Sequence, residues 1–124
     1  GVRIRYKVWI ERQDRVLFGH GRLELLLALD RKGSLAQAAA EMGMSYRAAW
    51  GRLKASEERL GFPLVEHGPR GKRNSQLTPQ GRALLDWLAE LEKDLDRFLD
   101  QALERRPDCL KALDQPGARS SAGN

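Results

Sequence analysis

This sequence is poor in residues that build chemistry. Its 124 residues hold a single cysteine, Cys109, which excludes an internal disulfide framework and suits a reducing, cytoplasmic setting. The two histidines, His20 and His67, lie 47 positions apart. Neither has a cysteine or a second histidine at metal-ligand spacing, so no metal site is expected. Cys109 has no base near it in sequence and is no candidate nucleophile. Nothing matches a Walker loop or a dinucleotide fingerprint. No catalytic residue is assigned, and an enzyme is the least supported class. Long apolar runs are missing as well. No stretch approaches the ~20 uncharged apolar residues of a membrane span, so no membrane partner is expected. Gly1 to Lys7 alternate cations with apolar residues and hold no continuous apolar core, so no secretory signal is expected there.

What is present describes a folded, soluble chain. Hydrophobic residues make up 41% and charged residues 31%, which excludes disordered and fibrous classes. The length suits one domain with an appended element and leaves no room for a second full ligand-binding domain. The formal net charge of +5 points only weakly to an acidic partner. Its distribution says more. Residues 1–82 hold 16 Lys and Arg against 8 Asp and Glu, whereas residues 83–124 hold 6 against 9. A basic head therefore precedes an acidic arm, a pattern that favours nucleic acid on the head.

Periodicity and punctuation order the elements. Val2, Ile4, Tyr6, Val8 and Ile10 fall on one face at period two, with Arg3, Arg5 and Lys7 on the other, which predicts a half-buried strand over 2–10. Gln13-Asp14 reads as a turn and Val16 to Phe18 as the returning strand of a hairpin. Leu23, Leu26, Leu27 and Asp30 follow at helical spacing, and Lys32-Gly33 closes that helix. Ser34 and Gln37 form a capping box for a short helix from Leu35 to Glu41. Met42-Gly43-Met44 interrupts, Ser45 caps a longer helix to about Leu60, and Gly61 stops it. Leu64 to His67 reads as a strand and Ser75 to Leu77 as its return. The loop between them is basic and turn-rich. Thr78-Pro79 then opens a last helix that meets no break before Pro107, roughly 27 residues or about 40 Å.

Two short helices joined through Gly43 fit a helix-turn-helix, because a tight turn needs one residue at positive φ. Ala38, Ala39 and Ala40 provide the small residues where the helices cross. Leu35, Met42, Met44, Ala49 and Leu53 are expected to be buried between them. The exposed N-terminal face of the second helix would carry Ser45, Tyr46, Arg47 and Trp50 into a major groove. Arg47 is the candidate for a base edge, since arginine is the commonest bidentate reader of guanine. Ser45 is claimed both by the cap and by DNA. Trp50 is open between groove and core. Arg52 and Lys54 are expected on phosphates. The strand–loop–strand that follows is a wing whose tip, Arg70, Lys72 and Arg73, would lie along the backbone or in a minor groove.

In the last helix Leu84, Leu88, Leu91, Leu95, Phe98 and Ala102 recur at steps of four and three, a heptad seam read as a dimer interface. Asp86 to Asp100 form its wet face rather than an acid/base pair. The predicted class is mostly α with small β. It is a winged helix-turn-helix with an N-terminal β-hairpin and a long C-terminal dimerisation helix. The expected divisions are a DNA-binding domain over 1–78, a dimerisation helix over 79–106 and a flexible tail over 107–124.

The string Gly43-Met44-Ser45-Tyr46-Arg47-Ala48-Ala49-Trp50, with Gly33-Ser34-Leu35 before it, resembles the DNA-binding domain of the molybdate-responsive ModE-type transcriptional regulators. Leu64 to Glu66 and Leu77-Thr78 with Gly81 extend the resemblance over roughly residues 2 to 105. Related LysR-type domains share the layout but not the Tyr and Trp. The resemblance implies a winged-helix homodimer on a palindromic promoter site, with recognition through Ser45, Tyr46, Arg47 and Trp50. Two departures stand out. The family's wing is often Gly-rich, whereas this one is cationic. Full-length members also carry C-terminal oxyanion-binding repeats. No stretch here matches those repeats, so no cofactor is expected and direct molybdate binding is not expected of this chain.

The reading from sequence is a cytoplasmic transcriptional regulator that binds double-stranded DNA at an inverted repeat. Its two recognition helices would stand about 34 Å apart. Two rivals remain at this point: a winged-helix module that binds another protein, and a sensor of a small oxyanion at the dimer interface.

Overall fold

The computed structural model describes residues 1–68 and 71–115, and at His20 and residues 71–73 the backbone alone. Elements follow in the order β1 (Trp9–Arg12), β2 (Arg15–Gly19), α1 (His20–Lys32), α2 (Leu35–Glu41), α3 (Tyr46–Leu60), β3 (Val65–Gly68), β4 (Gly71–Leu77), α4 (Pro79–Glu104) and α5 (Asp108–Lys111), with a 3-10 turn at Ala112–Asp114. They form two compact units, Lys7–Ala89 and Gly1–Tyr6 with Glu90–Asn124. The first three turns of α4 thus pack in the winged-helix unit, and the expected division at residue 78 falls inside it.

The first strand is shorter than expected. β1 pairs with β2 in register from Trp9↔Gly19 to Arg12↔Arg15, and residues 1–8 form no strand. The reason is the partner's length. β2 ends where α1 begins at His20, so residues before Trp9 have no edge to pair with. The alternating face is not buried either: Ile4 is 43% and Tyr6 36% exposed. The turn falls where expected. Gln13 and Asp14 both adopt positive φ, 53° and 64°, as the primed two-residue hairpin turn requires.

Local capping chemistry sets the helix ends. Gly33 and Gly61 close α1 and α3 in the left-handed region, at φ 72° and 85°. Ser34 Oγ accepts from the Gln37 amide at 3.2 Å to open α2, and Ser45 Oγ from the Ala48 amide at 3.1 Å to open α3. Thr78 Oγ1 accepts from the Gly81 amide at 2.9 Å and donates to the Pro63 carbonyl at 2.7 Å. It caps α4 and pins it to the loop before β3 at once.

The core lies in the larger unit. Every buried hydrophobic among the described residues falls between Phe18 and Leu88. Phe18 from the hairpin, Leu25, Leu26 and Leu29 from α1, and Leu35, Leu53 and Leu64 form its centre. Leu27, assigned to the inward face of the first helix, is only half-buried, and Leu25 takes that place. Met42 and Met44 are half-buried and Ala40 is exposed, against expectation. The turn lies at the rim of the helix pair, where the crossing is closed by Leu35, Ala38, Ala39, Ala49 and Leu53. Arg82 of α4 reaches Asp30 of α1 at 2.5 Å.

In the smaller unit the segment after Pro107, expected as a flexible tail, holds α5 and the 3-10 turn. Arg106 Nη2 meets Asp114 Oδ2 at 2.9 Å, and the Val2 amide donates to Asp114 Oδ1 at 3.2 Å. Tyr6 Oη donates to Asp96 Oδ1 at 2.8 Å. One carboxylate at 114 thus gathers both ends of the unit. The rest of the expected tail, residues 116–124, lies outside the described residues.

Leu88, assigned to the dimer seam, is 3% exposed within its own protomer, beside Leu85 at 2%. It belongs to the core and is not free for a partner. Heptad spacing marks an apolar stripe without saying what covers it. Leu84, Leu91, Leu95 and Ala102 are half-buried, and Phe98 is 59% exposed. Among the described residues no helix is long and apolar enough to cross a membrane.

Candidate nucleic-acid interface

The interface is built on α2, the turn and α3. Gly43 at φ 72° reverses the chain after α2, a conformation that side-chain-bearing residues rarely adopt. The Met44 amide then returns to the Ala39 carbonyl at 3.0 Å. Ser45 caps α3 by accepting through its hydroxyl oxygen, which leaves the O–H proton to donate, and the helix sets its positive dipole end at this turn. Ala49 and Leu53 anchor the inner face at 0% and 2% exposure.

The outer face carries the residues expected there. Arg47 and Arg52 are exposed and Tyr46 is half-buried. Trp50, open from sequence, is 42% exposed and so lies outside the core. Tyr46, Arg47 and Trp50 together line a shallow hollow of about 310 Å³. An aromatic pair with a guanidinium beside it presents both an apolar surface for thymine methyls and sugars and a fork for guanine.

Lys54 has two partners within α3 itself. Its ammonium stands 5.4 Å from the Trp50 ring centroid and 3.3 Å from Glu57 Oε1. It braces the indole and is partly neutralised, which weakens its claim on a phosphate. Glu57 was not picked out from sequence. Its Oε2 accepts from the amides of Leu64 at 2.7 Å and Val65 at 3.2 Å, and so ties α3 to the start of the wing. Only the Lys54–Glu57 spacing of three hinted at it.

The wing is the antiparallel pair β3–β4, in register from Val65↔Leu77 to Gly68↔Gly71. Its root is fixed on the helices. The Ser75 amide donates to the Gly33 carbonyl at 3.0 Å, and the Thr78 amide to the Leu64 carbonyl at 2.9 Å. His67 Nδ1 and Ser75 Oγ lie 2.9 Å apart across the strands, which accounts for that histidine in a structural role. Gly81 lets α4 approach: a Cβ there would strike the Leu64 carbonyl. The wing-tip residue Arg70 lies outside the described residues, as do the side chains of Lys72 and Arg73. Among the described residues no group of three His, Cys, Asp or Glu could hold a metal ion.

Residues 20–82 match the family described as bacterial regulatory helix-turn-helix protein, lysR family. The chain belongs to this family. The match covers α1 through the opening of α4, the span that builds the geometry above.

This lysR-family domain is similar to the molybdenum-pterin-binding protein MopB of Rhodobacter capsulatus, 37% identical over 83 residues, covering 65% of this chain and 31% of that protein. It is 34% identical over 86 residues to the molybdenum transport protein ModE of Azotobacter vinelandii, covering 68% of this chain and 32% of that one. The chain thus spans about a third of the length of these curated relatives. Among solved structures, the CbnR DNA-binding domain in complex with DNA superposes with a TM-score of 0.56 at 26% identity, covering 68% of this chain and 94% of that one.

Proposed function

We propose that this lysR-family domain binds double-stranded DNA sequence-specifically and regulates transcription in the cytoplasm. One observation carries the reading: the capped first turns of α3 hold Arg47 and Trp50 outward on a helix whose inner face is locked in the core. A positioned, solvent-facing N-terminal helix face is what entry into a major groove requires. The likeness to a regulator domain solved on DNA and to ModE supports it. Ser45, Tyr46, Arg47 and Trp50 read the groove. Arg52 and the wing cations Arg70, Lys72 and Arg73 position the backbone. The mechanism is binding alone and uses neither a catalytic group nor a cofactor.

The protein acts as a homodimer on an inverted repeat. The support is α4, whose fully buried residues are Gly81, Leu85 and Leu88, all in its first half. Beyond them Leu91, Leu95 and Ala102 stay half-buried and Phe98 exposed, an apolar stripe that a second copy would cover.

A mobility-shift assay on genomic fragments tests the reading. Retarded, competitor-resistant complexes on a subset of fragments are expected. No complex on any fragment would overturn DNA binding in favour of a protein-interaction module.

A further inference from the structure

Arg12, Arg15, Arg22 and Arg59 gather where the β1–β2 hairpin and α1 meet the C-terminal half of α3, with Arg52 near enough for its charge to act on Arg22. Arg12 and Arg15, at the tip of the β1–β2 hairpin, line a cleft of about 400 Å³ with Gln13, Leu17, Ala55, Glu58 and Arg59. Arg59 Nη1 donates to the Val16 carbonyl at 3.2 Å, which holds α3 to the hairpin. Arg22 of α1 donates through Nε to Ser56 Oγ at 3.2 Å, which holds it against α3. Arg22 feels its neighbours. Burial, then the charges of Arg59 and Arg52, lower its pKa below the ordinary guanidinium value.

These cations are gathered without acids to match. No ion pair among the described residues involves Arg12, Arg15, Arg22, Arg52 or Arg59. Arg22 and Arg59 bond neutral oxygens instead. Glu58 is the sole carboxylate on the cleft. Like charges held together cost stability, and four more arginine charges than the one carboxylate of Glu58 leave a net positive field for an anion. The guanidinium fork matches a tetrahedral oxyanion.

We propose that the cleft between the hairpin and the C-terminal half of α3 is a phosphate site, occupied by a backbone phosphodiester outside the groove that α3 reads. Position supports this source. Arg59 lies twelve residues beyond Arg47 on one helix, roughly 18 Å along its axis. That exceeds the ~12 Å width of a major groove, so a helix entering by its first turn carries Arg59 out to the flanking backbone. The hairpin then acts as a second clamp beside the wing. This source rests on the DNA-binding reading, whereas free phosphate offers the same chemistry without it.

Two variants test the site. Arg12→Gln with Arg15→Gln removes two exposed cations from the hairpin without touching Arg59. The plot of log affinity against log salt should become shallower by about 2. Glu58→Gln removes the opposing charge and should tighten DNA binding several-fold, an outcome that a merely structural role does not predict. If wild type binds DNA while both variants keep its affinity and slope, the cleft proposal falls and the DNA reading stands. If wild type binds no DNA, titration of the labelled chain with inorganic phosphate at constant ionic strength decides. An Arg59 signal that moves in wild type, but not in the double variant, assigns the site to a free anion. A signal that stays still overturns it.

Discussion

The carboxylate of Glu57 accepts a hydrogen bond from the Leu64 amide at 2.7 Å, and through it the recognition helix holds the first strand of the wing. Leu64 is fully buried, so its amide has no water to turn to. Glu57→Ala should therefore destabilise the domain by about 1–3 kcal/mol, the cost of orphaned buried donors. Glu57→Gln keeps an acceptor and should lose less. Thermal melts of both compare the two, and an unchanged melting temperature in Glu57→Ala would show the tie to be dispensable.

Gly81 is the second structural test. A helix interior usually gains by about 1 kcal/mol when Gly becomes Ala. Here the new Cβ would meet the Leu64 carbonyl, which is backbone and cannot swing aside. Overpacking of that kind costs about 1–3 kcal/mol, so the clash should win. Denaturant titration should place Gly81→Ala below wild type; a more stable variant would refute the close approach.

Arg47 and Trp50 separate reading from positioning. Arg47→Ala should cost about 1–3 kcal/mol on operator DNA and much less on random duplex, because a base-edge contact carries discrimination. Equal losses on both would remove Arg47 from the base-reading role. Trp50→Ala should weaken operator binding while leaving the melting temperature nearly unchanged, since the indole is 42% exposed.

Charge reversal at Arg70, Lys72 and Arg73 probes the wing. All DNA binding should weaken, with the salt slope falling by about 1 for each phosphate that the wing no longer neutralises. A slope identical to wild type counts against any role of the wing on the backbone.

The dimer seam is tested by two kinds of change. Leu91→Glu with Leu95→Glu should produce folded monomers, which light scattering would detect; a surviving dimer rules out this face. Leu88→Ala should act differently, lowering protomer stability by about 2–5 kcal/mol, because that side chain is already in the core.

Much of this is legible in the amino-acid order alone. The turn at Gln13-Asp14, the serine caps at Ser34 and Ser45, the glycine stops at Gly33 and Gly61 and the Thr78 cap all lie where the sequence places them. So does the outward face of α3 at Arg47. Other assignments needed correction. The strand over 2–10 shrank to Trp9–Arg12, Leu88 moved from the seam to the core, and helical turns stand over Asp108–Asp114.

The division has a physical basis. Caps, left-handed glycines and amphipathic faces are settled by groups within about four residues of one another, so the sequence alone determined them. What lies against a face depends on surfaces brought from far along the chain. Only the tertiary structure could end β1 where its partner strand ran out. It also left Trp50 outside the core, covered Leu88 but not Phe98, and aimed Glu57 at two amides of the wing. The arginine cleft is of the same kind. Residues 12, 15, 22, 52 and 59 share no motif, and only the packing of hairpin, α1 and α3 brings their charges together.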